Sequence, residues 1–155
     1  MRRLTVGERR LAQSVFGDAL DLDRVRLAPH LPGRTAITLG RTIVFPSDTP
    51  ADFSLAPPSL QAWLIHELVH VWQFERSTAR TVGSWARTLL TGGYGPRRRA
   101  YDYAHPFAWD RLNLEQQASA VEHAFLLRCG AASSPPLTLA DYEGRTPFQE
   151  LTRVA

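Results

Sequence analysis

The chain contains no lysine: all 18 basic residues are arginines, against 15 acidic residues, for a formal charge of +3. We read this first as a genome-composition effect. The basic pI, near 9.6, suits an anionic partner, but +3 is a weak signal for one. There is one cysteine, Cys129, so no disulfide can form within the chain. Its apolar helical setting predicts a core residue. No run of about 18 apolar residues exists to span a membrane. The start, Met1-Arg2-Arg3-Leu4-Thr5, turns polar without the apolar stretch of a signal peptide. The expectation is a cytoplasmic protein, or one exported without a cleaved leader. Internal repeats are absent as well. What is present is 44% apolar and 10% aromatic residues in 155. That suits one globular domain with a real core, residues 1–155, of which 131–155 read as a C-terminal extension.

The most informative stretch is Leu64-Ile65-His66-Glu67-Leu68-Val69-His70-Val71-Trp72. It contains HExxH, the pattern of zinc-dependent hydrolases. Histidines four apart on a helix share one face, one turn apart, where both imidazoles reach one metal ion. Glu67 follows the first of them and is placed to take a proton from a water activated there. Pro57 and Pro58 precede Ser59, a candidate N-cap, and Leu60, Leu64, Leu68 and Val71 recur at helical spacing. The apolar flanks weigh against an unliganded pair, which would carry a desolvation cost.

Around this helix the sequence predicts a small α+β domain. Thr5-Val6-Gly7-Glu8 is a capping box, opening a helix to about residue 20. Residues 24–28 read as a strand, and 29–33 as a loop. Segments 35–39 and 42–45, joined by Gly40-Arg41, read as a β-hairpin. Further helices are expected over 77–91 and 112–129, with short ones near 138–143 and 147–152. Asp18, Asp21 and Asp23 form a solvated turn, since the spacing, Gly and Glu of a calcium loop are missing. The triplet Arg97-Arg98-Arg99 reads as a solvated face rather than a nucleic-acid contact.

A catalytic zinc takes three protein ligands and keeps one position open. His30, His105, His123, Glu115 and Glu122 are the remaining candidates. Glu115 is favoured: it lies early in its helix, and Ala118, one turn on, lets that helix lie close to its neighbour. Glu122 is seven residues on, about 10 Å along the axis, and serves as a fallback ligand or as a support behind one. Of the aromatic segment Tyr101, Tyr103, His105, Phe107, Trp109, Tyr103 and then His105 are the choices to hydrogen-bond a developing oxyanion.

HExxH followed by a glutamate on a second helix resembles the gluzincin class of metallopeptidases. The strings Leu114-Glu115-Gln116-Gln117-Ala118 and His123-Ala124-Phe125-Leu126-Leu127-Arg128 resemble a family of small bacterial "Vgr-related" proteins. So do Ser14 to Ala19, His66 to Gln73 and Tyr101 to Phe107. The resemblance implies a zincin-like domain, with a small antiparallel sheet beside the HExxH helix and a glutamate-bearing helix. It implies Zn²⁺ on His66, His70 and Glu115, and a peptide or protein substrate adding as a strand along a sheet edge, residues 42–45 or 35–39. It also implies an association with a secretion-system spike protein. The family usually carries an acidic residue where this chain has Ser119, so the group that orients a ligand imidazole is in question. The competing readings are a non-catalytic zinc-containing binding or assembly module and a DNA-associated metallopeptidase.

Overall fold

The computed structural model describes residues 1–31, 33, 35–90, 101–132 and 136–153. Among them are five α-helices and a three-stranded sheet. Helix α1, Val6–Phe16, opens on the expected capping box: the Thr5 hydroxyl accepts from the Glu8 amide, and the Glu8 carboxylate accepts from the Thr5 amide. It ends at Gly17, short of residue 20. Glu8 is fully buried. Besides capping, it accepts two hydrogen bonds from the Arg2 guanidinium, at 2.6 and 2.7 Å, and one from the Phe53 amide at 3.0 Å. The N-terminal residues are thereby tied to the core.

Strand β1 is Arg26–Leu31, β2 is Ile37–Leu39 and β3 is Thr42–Pro46. The β2–β3 hairpin forms as its pattern predicts, with Gly40 at φ 59° in the turn, a conformation glycine adopts without strain. The expectation of an antiparallel sheet is corrected: the strand order is β1-β3-β2, and β1 pairs parallel with β3. The hairpin enters the sheet with its second strand in the middle, so β1 and β3 run the same way. Pro29 and His30, expected in a loop, fall within β1. That strand lies at the sheet's edge, where a proline is tolerated.

Helix α2, Pro58–Arg76, carries the HExxH motif. Its N-cap is Pro57 rather than Ser59; Pro58 occupies the first helical turn, where its missing N–H costs nothing. Residues 64–74 are all buried, so α2 is enclosed on every side, as a central helix must be. Helix α3 is Thr78–Leu90, and α4, Leu114–Arg128, is capped by Asn113. Helix α4 packs along α2 more extensively than any other pair of helices among the described residues. Ala118, fully buried and one turn after Glu115, permits that close approach. Helix α5, Gln149–Thr152, and the 3₁₀ turn Leu139–Tyr142 place Tyr142, Phe148 and Leu151 in the same core. Cys129, expected inside, is exposed at the end of α4, because the helix stops there and turns its last residue outward.

Candidate metal centre

The packing of α4 on α2 brings Glu115 over the two motif histidines. Glu115 Oε2 lies 3.5 Å from His66 Nε2 and 3.3 Å from His70 Nε2. One ligand atom from each residue lies within 4.8 Å of the others, and all three residues are buried. Two donors on one tetrahedral ion, each about 2.0–2.2 Å from it, stand roughly 3.3–3.5 Å apart. Two imidazole nitrogens and one carboxylate oxygen are a donor set that suits zinc. His66, His70 and Glu115 thus form a group that could hold a metal ion.

The outer nitrogen of each imidazole is also held. His66 Nδ1 is 2.9 Å from Glu122 Oε2, and His70 Nδ1 is 2.8 Å from Gln73 Oε1. The Gln73 amide is oriented in turn. Its Nε2 donates to the Leu114 carbonyl at 3.0 Å and to Gln117 Oε1 at 3.1 Å, which leaves Oε1 as an acceptor for His70. Gln117 Nε2 then donates to the Trp109 carbonyl. A proton held on each Nδ1 leaves the Nε2 lone pair for a metal.

Glu67 faces the same cavity, of about 430 Å³, with Thr38, Ile37, Val82 and Tyr101 on its walls. Its Oε2 accepts from the Thr38 hydroxyl at 2.7 Å. Strand β2 is the sheet edge beside this cavity, whereas β3 lies between its neighbours.

The effector domain of Pseudomonas aeruginosa VgrG2b has a similar structure, with a TM-score of 0.66 and 32% sequence identity, over 83% of this chain and 75% of that one. The chain belongs to the VgrG2b effector-domain family. The type VI secretion system spike protein VgrG2b of the same organism is 30% identical over 139 residues, 81% of this chain. The chain spans only 13% of that spike protein's length. No protein-family model matches it.

This member of the VgrG2b effector-domain family places Tyr103 and His105 away from the metal cavity. Both line a second cavity of about 520 Å³ with His123, Leu126 and Tyr142. There the Tyr103 hydroxyl is within 2.8 Å of His123 Nδ1 and 3.0 Å of the Tyr142 hydroxyl. Burial and the Tyr142 contact hold its phenol far above the usual range. Burial lowers the His123 imidazole, and burial together with nearby Arg145 lowers that of His105. Among the described residues, Tyr101 is the tyrosine that lines the metal cavity, its ring centroid 6.1 Å from that of His66. His30 lies in β1, and Arg97, Arg98 and Arg99 fall outside the described residues. Sequence reasoning passed over Thr38, Gln73 and Gln117. Gln73 had a signal, standing three residues after His70 on the same helical face. Thr38 and Gln117 are joined to the site only by tertiary packing.

Proposed function

We propose that this chain is a zinc-dependent hydrolase that cleaves a peptide bond. The observation that supports it most is the meeting of the buried His66, His70 and Glu115 at a cavity that also holds a separate carboxylate, Glu67. A zinc ion bound by those three ligands supplies Lewis acidity, which makes a water more acidic and polarises a carbonyl. Glu67 is the general base. It takes a proton from the attacking water as the new carbon–oxygen bond forms. It then gives that proton to the leaving nitrogen as the carbon–nitrogen bond breaks. Tyr101, rather than Tyr103 or His105, is the candidate to donate to the carbonyl oxygen, because it lines the same cavity. The side of β2 turned away from β3 is suited to receive an extended peptide as an added strand.

The likeness to a spike protein's effector domain supports a further part of this reading, that the chain works with a Vgr-type secretion system. No helix among the described residues is long and apolar enough to cross a membrane.

The test compares zinc-loaded wild type with Glu67→Gln on a mixture of internally quenched peptides. The amide fills the same space and cannot accept the proton. The mutant should keep its zinc and lose at least about a hundredfold in turnover. Equal turnover of the two proteins removes Glu67 as the base.

A further inference from the structure

The middle residue of β2 is unusual for its position. Ile37 and Leu39, on either side, are 41% and 59% exposed, while Thr38 points inward and is 1% exposed. A strand residue facing a core is ordinarily apolar, and a buried hydroxyl without a partner is costly. Thr38 is not without one. Its Oγ1 lies 2.7 Å from Glu67 Oε2, whereas the Glu67 backbone carbonyl is 3.5 Å away. A hydroxyl has one proton to give and an ionised carboxylate has none, so Thr38 donates and Glu67 accepts. The distance is that of a charge-assisted bond.

Two features make Thr38 a rigid anchor. Its β-branched side chain is stiff about χ1. Its strand is held to β3 in antiparallel register on both sides, Ile37 opposite Val44 and Leu39 opposite Thr42. Glu67 by contrast has three side-chain torsions to fix. With Oε2 engaged, the other oxygen is the one available to a water in the cavity.

We infer that Thr38 is a positioning residue: its hydroxyl holds the Glu67 carboxylate in the one orientation from which it can exchange a proton. This rests on the hydrolase reading above for its consequence in turnover, but not for its effect on the carboxylate. It also ties the sheet edge to the base through a single side chain, since Thr38 belongs to the strand that borders the cavity.

Thr38→Val keeps the shape and removes the hydroxyl; Thr38→Ser keeps the hydroxyl and removes the methyl. Zinc affinity, measured by chelator competition, should agree within about twofold among wild type and both variants, which also reports that the site has folded. On the quenched peptide mixture, Thr38→Val should lose roughly 30- to 100-fold in kcat with KM within about twofold, the size of effect expected of a misplaced reacting group. Thr38→Ser should recover to within about threefold of wild type. Wild-type kcat in Thr38→Val, a joint loss of kcat and zinc, or a serine variant as slow as the valine one would overturn the inference. If wild type cleaves nothing, the hydrolase reading has failed, and acetohydroxamate binding to the zinc-loaded proteins decides this point instead. A hydroxamate chelates zinc through two oxygens and hydrogen-bonds a neighbouring carboxylate. Binding about tenfold weaker in Thr38→Val and restored in Thr38→Ser supports positioning; equal Kd values overturn it.

Discussion

Glu122 Oε2 lies 2.9 Å from His66 Nδ1, on the side of the imidazole opposite Glu115. The helix therefore provides a carboxylate for orienting His66 although Ser119 stands where the resemblance places an acid. Glu122 is seven residues past Glu115, two turns on and nearly on the same face, so one helix brings a carboxylate to each side of the ring.

Replacing Glu115 with Ala should weaken zinc binding on the order of a hundredfold to a thousandfold. That is about one ligand's share of the roughly 10–16 kcal/mol found for structural zinc in zinc-finger peptides. Glu122→Ala should cost less, roughly tenfold to a hundredfold, as loss of an outer-shell partner does. Competition with a chromophoric chelator measures both. The reverse order would contradict the assignment of Glu115 as ligand and of Glu122 as the support of His66.

The pH dependence of metal-free and zinc-loaded protein should differ. Burial opposes a charge on His66, but hydrogen bonds to Glu115 and Glu122 outweigh it, and the imidazole is pushed up from 6.5 to about 10 in the metal-free protein. A raised pKa means that the folded state binds the proton more tightly than the unfolded one. The stability this gives is fully present below pH 6.5 and is lost as pH rises toward about 10. Zinc must displace that proton, so its affinity should climb over the same interval, with about one proton released from His66 per ion at about pH 8. The gap in Tm between zinc-loaded and metal-free protein should therefore widen with rising pH. Calorimetry in buffers of different ionisation enthalpy counts the proton; no release at that pH would contradict the shift.

Much of this arrangement was readable from local pattern. The HExxH spacing, the Thr5 capping box and the Gly40-Arg41 hairpin turn each depend on a few neighbouring residues, and each appears in the structure. The proximity of Glu115 was also accessible, because Ala118 marks a helix that can approach closely. The direction of β1 was not, since it depends on which strand of the hairpin takes the centre of the sheet. Nor was Tyr101 distinguishable from Tyr103. The two alternate in sequence, and only the path of the segment decides which side chain meets the metal cavity. Thr38 and Glu67 are 29 residues apart, and no local pattern joins them.

Glu8 provides a test of the fold that is independent of the metal. Its carboxylate is fully buried and receives the Arg2 guanidinium and two backbone amides. Glu8→Gln keeps the size but exchanges an acceptor oxygen for a donor and removes the charge. The cost should be about 3 kcal/mol, because a buried partner is left unmatched. For a chain of this size, Tm should fall by roughly 6–12 °C. Zinc stoichiometry at low temperature should be unchanged. A Tm within about 1 °C of wild type would show that the Arg2–Glu8 pair does not hold the N-terminus.

The most direct test of the metal centre is a crystal structure of the zinc-loaded protein with anomalous data collected on both sides of the zinc edge. One zinc ion per chain is expected, about 2.0–2.2 Å from Nε2 of His66, Nε2 of His70 and a carboxylate oxygen of Glu115, with a fourth position open to the cavity. An ion bound elsewhere, or one closed off by a fourth protein ligand, would contradict that expectation.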